Sequence, residues 1–498
     1  MSGKCICVCY NDKITKDVFD KAVKMLSHRG DIEEVFIDKN SLENFFDNIT
    51  IVRDRLGLEP LYYMFNDDAF VCVSEMKALL PFVEKCNWSW KLNEEVLFEY
   101  MMFRYVAGKN TLVKDVYKIL PGKQVIVNTC SKVIKHDYND YVGDYFDDDY
   151  LIEDIPDIEN LLNKVISTKF DTNTAILLSG GVDSSLLTIL ASKIFTVHPL
   201  NTISMVFDGY ENTELKYSRS IVENFSTNHT EVHFTSEDFA DYYLKAIWHN
   251  DEPINFANSV AIMYMSKYAR DKGYSKLMVG EGADEVFAGY TFFLSEESCI
   301  MRARYCKEKD IFLLLNNPIK DLFYRESLYK TRLTGLRFHM HYTFMTYLQT
   351  VANRLDKMTK AFGMKLVCPF VDRDVVDASF RLPDNMKVNN GITKYVIKKI
   401  AEKYIDHEQI YRNKIGFSIP INDWLRKKVG LGNFVSILAE ERTLSRSIYR
   451  RENIVSLLYD FYSGKEDTKE FSIAGRVWIL LNLELWIRTF IEDRKMLI

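Results

Sequence analysis

The sequence has no uninterrupted apolar run near the roughly 18 residues that a membrane span needs. Its first residues, MSGKCICVCYNDK, carry too short an apolar stretch for a secretory signal. Positive charge is not in surplus: Lys plus Arg total 64, Asp plus Glu 70, and the net charge is −6. No basic tract rises above that background, so nucleic-acid binding by phosphate neutralisation is disfavoured. Internal repeats and low-complexity segments are absent. Nine cysteines are scattered along the chain; without a secretory signal they read as reduced thiols of a cytoplasmic protein. What is present is an ordinary globular balance, 47% hydrophobic and 27% charged, in a chain of 498 residues, too long for one ordinary core.

The pattern changes along the chain. Up to about residue 140, short β-type runs recur between turn signals: KCICVCY, EVFI, ITIV, LYYMF, FVCVS and KQVIVN. They predict an α+β or β-layered N-terminal domain. Cys5, Cys7 and Cys9 alternate with Ile6 and Val8, so they share one face of a strand. A metal site there is conceivable, but no second Cys or His cluster follows, and buried small hydrophobes are the favoured reading. The acidic, tyrosine-rich stretch HDYNDYVGDYFDDDYLIEDIPDIE reads as a return strand and linker. From about Ile158, strands alternate with helices, which predicts βαβ crossovers and a parallel sheet. Beyond Tyr290 the chain turns mostly helical. It ends in one long amphipathic helix that buries Trp478 and Trp486.

Two stretches carry chemistry. LLSGGVDSSLL, residues 177–187, reads as strand, tight turn and helix start. In parallel sheets, ligands sit where such turns converge. Gly180 and Gly181 permit positive φ and close approach, and the helix opening near Asp183 offers free N–H groups to an anion. Ser179, Ser184 and Ser185 add hydroxyls. The loop is not of the GxxxxGK[ST] type. An acid beside phosphate calls for a bridging divalent cation. The alternative is a plain N-cap, since Ser and Asp open many helices. LMVGEGADEVFAGY, residues 277–290, repeats the layout. Glu281, Asp284 and Glu285 crowd beside Gly280 and Gly282, and carboxylates so close repel unless a cation or protons offset them. A solvated acidic loop is the bland alternative, but it leaves the glycines unexplained.

Together these stretches resemble the synthetase domain of asparagine synthetases and, through it, the PP-loop ATP-pyrophosphatase superfamily. CPFVDRDVVDASFRLP (368–383) and KIGFSIPINDWLR (414–426) resemble further segments of that domain. RDRLGLEPLYY (53–63) and SEMKALL (74–80) resemble its N-terminal glutaminase domain. The resemblance implies an α/β fold: a parallel-sheet synthetase domain with a helical C-terminal part at 155–498, preceded by a smaller α+β Ntn-glutaminase-like domain at 1–145. It implies an AMP-forming, ATP-dependent ligase that adenylates a small-molecule or peptide carboxylate and passes it to an amine or ammonia. Asp183 and Asp284 would hold Mg²⁺. Leu178, Ser179, Gly180, Gly181, Ser184 and Gly280 would line the pyrophosphate site. The backbone near Val206 would read adenine, Lys414 would stabilise charge on the α-phosphate, and Glu281 would accept the amine's proton.

The chain departs from that family in two places. Position 2 is Ser2, where the glutaminase nucleophile is Cys, and Cys5 cannot supply its own terminal amine. Only residues 32–52 separate SHRGD (27–31) from RDRLG, which leaves no room for the glutamine-binding segment. A shortened, inactive glutaminase unit is expected, serving as scaffold or as a surface for a second copy or another protein. The second departure is GMKLVCPF. Lys365 and Val367 stand where the family carries Glu and Arg, so aspartate cannot be assumed as substrate; Lys365 also reads as a solvated surface residue. Three alternatives stay open: a glutamine-dependent asparagine synthetase, an ATP-binding pseudoenzyme or partner subunit, and an RNA-thiolating enzyme, which would need a paired cysteine and a basic face.

Overall fold

The computed structural model describes residues 3–38, 48–128, 134–137, 157–196, 199–208, 214–294, 304–412, 419–465 and 472–496. Among these residues no helix is long and apolar enough to cross a membrane.

Among the described residues, thirteen strands form three sheets. In the N-terminal part, β1 (Gly3–Cys9), β2 (Ile32–Ile37), β4 (Tyr62–Phe65), β5 (Ala69–Val73) and β6 (Tyr117–Lys118) make a mixed sheet of order β2-β1-β5-β4-β6. β3 (Asn48–Val52), β7 (Gln124–Asn128) and β8 (Ile134–Asp137) form an antiparallel sheet. Period-two alternation decides how they pack. Ile6, Val8, Phe70 and Cys72 face Ile51, Val125 and Val127 of the second sheet. Cys5, Cys7 and Cys9 point the other way, into a core with Phe19, Val71, Val73 and Phe82. The three cysteines are fully buried and share a face, as the alternation predicts.

The larger part is built on a parallel sheet of β9 (Thr174–Leu177), β10 (Asn201–Phe207), β11 (Asn228–Phe234), β12 (Lys276–Met278) and β13 (Lys365–Val367), in the order β11-β10-β9-β12-β13. Helices Ile158–Lys169 and Val182–Ile194 cover one face, with Leu162, Val165, Ile166, Leu186, Leu187 and Leu190 in one core. Helix Asn258–Asp271 contributes Ala269 to the opposite face, against Ala175, Ile203 and Leu277. The chain leaves β9 for β10 and β11 on one side and returns to β12 and β13 on the other. β9 is therefore the switch point, and the crevice beyond its carboxyl end is where such sheets bind ligands.

Two sequence expectations need adjustment. The strand read through KLMVGEG stops at Met278, because Gly280 and Gly282 leave the ladder, Gly282 with φ +91°. The stretch GMKLVCPF contains an edge strand, β13, that has only three residues and too little alternation to announce itself. Only the two ends of the proposed linker are described, the first in β8 and the last as Asp157 and the start of helix Ile158–Lys169; residues 138–156 lie outside the described residues. The C-terminal helix Ile473–Trp486 is buried along its length, Trp478 and Trp486 included.

The two parts are sewn together by buried polar bonds. Arg29 donates to Glu75 at 2.8 Å and to Asp356 at 2.7 Å. Lys357 donates to the Tyr62 hydroxyl at 2.8 Å and pairs with Asp251 at 2.9 Å. The Trp90 indole donates to the Phe490 carbonyl at 2.7 Å. Glu75, fully buried, also meets Lys77 and His28.

Candidate active site

The loop after β9 is shaped by its own serines. The Ser184 hydroxyl accepts from the Ser179 N–H at 3.1 Å and lies 3.1 Å from the Ser179 hydroxyl, drawing the turn shut. Gly180 takes φ +81° at this turn. A β-carbon there would stand 2.7 Å from the Glu214 carbonyl oxygen and 2.9 Å from the Ser218 nitrogen. Only glycine fits, for both conformational and steric reasons. The helix opens at Val182 with Gly181 as N-cap and no side chain capping it, so its first N–H groups face the crevice unbonded within the helix. Leu178 is buried beneath the loop, and its N–H donates to the Ile203 carbonyl at 2.9 Å. Val206 lies near the carboxyl end of β10, past the last residue paired with β9.

The loop after β12 meets this turn edge to edge. A β-carbon on Gly280 would lie 3.0 Å from the Ser184 nitrogen and 3.2 Å from the Asp183 β-carbon. Asp183 and Asp284, separated by about a hundred residues in sequence, converge on one point. The Lys394 ammonium occupies it, 2.6 Å from Asp183 Oδ2 and 2.7 Å from Asp284 Oδ1. Lys394 is buried and holds φ 52°. Sequence reading missed it, since one lysine in GITKYVIKK carries no signal of its own. Oxygen donors from two carboxylates aimed at one cation position suit a hard divalent ion such as Mg²⁺. The donor chemistry therefore fits the expected metal, but Lys394 holds the point between Asp183 Oδ2 and Asp284 Oδ1, so Mg²⁺ would use other oxygens of these carboxylates or displace the ammonium.

Glu285 points inward. It is buried, and the Tyr290 hydroxyl donates to it at 2.6 Å. Burial, with Asp284 alongside, pushes its carboxyl up to about 7. Glu281 takes the other side of the loop, half-exposed, with the buried guanidinium of Arg354 3.5 Å away. Arg354 is itself held by Asn258 and stacks on Phe256 at 5.0 Å.

The back of the Ser179 loop is braced by a second group that the sequence did not announce. Arg412 donates to the Gly180 carbonyl at 3.3 Å and to Glu214 at 2.8 Å, and stacks over Tyr217 at 4.2 Å. Lys414, the expected charge stabiliser, lies outside the described residues, as does Ser2. Leu178, Ser179, Gly180, Gly181, Asp183, Ser184, Gly280 and Asp284 thus assemble around one crevice, with Val206 on its β10 flank and Glu281 at the outer edge.

A parallel sheet whose switch point carries this glycine-and-carboxylate crevice defines a PP-loop type of nucleotide-dependent synthetase, preceded by a smaller layered β unit. The family model "Asparagine synthase" matches residues 158–488, and the chain belongs to that family. It is an enzyme of the ATP-dependent amide-ligase type. The model "Glutamine amidotransferase domain" matches residues 43–139. Asparagine synthetase [glutamine-hydrolyzing] 1 of Bacillus subtilis is 26% identical, over 89% of this chain and 76% of its own length. A putative asparagine synthetase [glutamine-hydrolyzing] of Mycobacterium tuberculosis is 23% identical over 88% of this chain and 74% of its own. Asparagine synthetase B [glutamine-hydrolyzing] of Escherichia coli is 23% identical over 75% of this chain and 58% of its own.

Proposed function

We propose that the chain adenylates a carboxylate with ATP and transfers the acyl group to an amine or to ammonia, without glutaminase activity of its own. The observation that carries this is the convergence of Asp183 and Asp284 on one cation position beside the Ser179–Ser184 turn. The carboxylate oxygen bonds to the α-phosphorus and pyrophosphate leaves. The amine nitrogen then bonds to the acyl carbon, and AMP leaves with the electrons of the broken C–O bond. The Ser179 turn and the first N–H groups of the following helix hold pyrophosphate. Glu281 takes the proton lost by the amine. Lys414, placed by resemblance alone, would stabilise charge at the α-phosphate. Held by Asp183 and Asp284, Mg²⁺ would neutralise phosphate charge.

In this reading residues 1–145 form a glutaminase-like unit that no longer hydrolyses glutamine, and residues 155–498 form the synthetase unit. Two observations support the loss. Only residues 32–52 lie between the SHRGD and RDRLG motifs. Cys5, on β1, is fully buried, and burial pushes its thiol well up, away from the nucleophilic thiolate.

The test is AMP and pyrophosphate release from Mg-ATP with a panel of carboxylates that includes aspartate, comparing ammonium, primary amines and glutamine as nitrogen source. Release that depends on a carboxylate, and is not supported by glutamine, is expected. Glutamine matching ammonium would overturn the loss of glutaminase activity. No AMP with any pair would overturn the ligase reading in favour of an ATP-binding pseudoenzyme. Asp183→Asn should abolish release; unchanged adenylation in that variant would remove Asp183 from the metal site.

A further inference from the structure

The peptide joining Gly180 to Gly181 has no side chain on either flank, so no β-carbon resists turning its plane over. Which way it faces decides whether the turn offers an anion a donor or an acceptor. We propose that Arg412 is a positioning residue that fixes this plane, holding the Gly180 carbonyl away from the nucleotide and aiming the Gly181 N–H at its pyrophosphate. The inference rests on the nucleotide site of the ligase reading above and deepens it.

The peptide is trans, so its C=O and N–H point to opposite sides. The carbonyl takes two donors from one segment, the short helix His407–Tyr411 and the residue after it: Arg412 Nη2 at 3.3 Å and Gln409 Nε2 at 3.5 Å. The N–H on the other edge faces the Ser179 hydroxyl at 3.4 Å, which in turn lies 3.1 Å from the Ser184 hydroxyl. A contact of 3.4 Å is long for an N–H donor, so the Gly181 N–H keeps most of its capacity for a phosphate oxygen. Turned over, the same peptide would present a carbonyl oxygen to that anion and repel it.

Orientation, rather than charge, is what Arg412 supplies. Its guanidinium already donates from Nη1 to Glu214 at 2.8 Å, and the two side chains are only 12% and 7% exposed. The pair is neutral as a whole, so its net field at a phosphate is small. The guanidinium also sits over the Tyr217 ring, 4.2 Å from the centroid, which limits its swing and sets the direction of Nη2. Glu214 and Tyr217 stand at the start of helix Leu215–Phe225, the same backbone that a β-carbon on Gly180 would strike. One guanidinium therefore ties the turn to two helices. A lysine carries the same charge but has no planar fork to serve the Gly180 carbonyl and Glu214 together.

Calorimetric titration of the full chain with Mg-pyrophosphate, Mg-ATP and adenosine tests the proposal. Arg412→Ala should weaken both phosphate ligands by about tenfold to hundredfold, the contribution of one hydrogen bond to a charged group, and leave adenosine within about twofold of the native value. Arg412→Lys should lose pyrophosphate affinity to a similar degree, although its charge is kept. Native pyrophosphate affinity in Arg412→Lys would overturn the proposal, because charge alone would then suffice. Native affinity in Arg412→Ala would overturn it as well. Equal losses of adenosine and pyrophosphate would do the same, by reducing Arg412 to a prop of the fold. Should Arg412→Ala fail to fold, Arg412→Lys, with a side chain of similar length, decides the matter by the same comparison. Binding is read without turnover, so the two readings fail separately. A chain that binds pyrophosphate through Arg412 but releases no AMP would sink the ligase reading and leave the role of Arg412 standing.

Discussion

Lys394 reaches Asp183 across the crevice at 2.6 Å, from a backbone turned to φ 52°. It reaches Asp284 at 2.7 Å from the same nitrogen. Three segments far apart in sequence therefore share one charge contact. One ammonium between two carboxylates leaves the pair a single negative charge in excess, so the site remains attractive to a further cation. It also holds both acids in place before nucleotide arrives.

Lys394→Met follows directly from this contact. Removing one partner of a buried pair leaves uncompensated charge, at a cost of about 3–5 kcal/mol. The melting temperature in EDTA should fall clearly below that of the native chain. Magnesium should restore part of the loss, and should stabilise the variant more than the native protein, because the cation takes over the role of the ammonium. Equal effects of magnesium on both proteins would count against Asp183 and Asp284 as its ligands.

Gly180 offers a comparison within the chain. Gly180→Ala forces a side chain into a left-handed residue and against backbone atoms of Glu214 and Ser218 that cannot step aside. Gly273 has φ +90° and open space around its β-position. Gly273→Ala should cost only the conformational term, about 1–2 kcal/mol, with nucleotide binding intact. Gly180→Ala should cost more and weaken ATP binding by at least about tenfold, measured by calorimetric titration. Equal nucleotide affinity in the two variants would mean that the turn does not shape the phosphate site.

Glu281→Gln separates the two half-reactions. The side chain is half-exposed and stands apart from the Asp183–Lys394–Asp284 contact. ATP–pyrophosphate exchange in the presence of the acceptor acid should persist. Amide formation should drop by roughly 10²–10⁴, the usual contribution of a positioned proton acceptor. Loss of exchange in step with amide formation would instead place Glu281 in adenylation.

Much of this frame was legible because it obeys short-range rules. The alternation of Cys5, Ile6, Cys7, Val8 and Cys9 assigns both faces of β1, and strand–glycine–acid patterns mark both crevice loops. Lys394 and Arg412 were not legible. Each acts through a contact made more than a hundred residues away in the chain, and neither sits in a motif whose spacing implies it. β13 escaped because three residues are too few for periodicity to speak.

The junction between those parts carries a pH response with two separate windows. His249 is half-buried at this junction, its ring edge-on to His28 at 4.8 Å. Burial, helped by Lys77, drives its pKa well below the usual histidine value. The unfolded chain therefore binds a proton that the folded chain refuses, and stability falls as pH drops below about 6.5. Glu75 responds lower on the scale. Burial opposes its charge, but Lys77, His28 and Arg29 outweigh that and hold it well below the carboxylate range. Its contribution is complete above the unfolded value near 4.5 and is lost as pH falls towards the folded one. Melting temperature against pH should accordingly decline from about pH 6.5 downward and steepen below about 4.5. His249→Gln should flatten the upper decline and leave the lower one. Glu75→Gln should lower stability at neutral pH by about 3–5 kcal/mol, because Arg29 and Lys77 lose their shared partner, and should soften the lower decline. A native profile flat from pH 7 to 5, or a His249→Gln profile parallel to it, would show that the junction does not sense protons at this histidine.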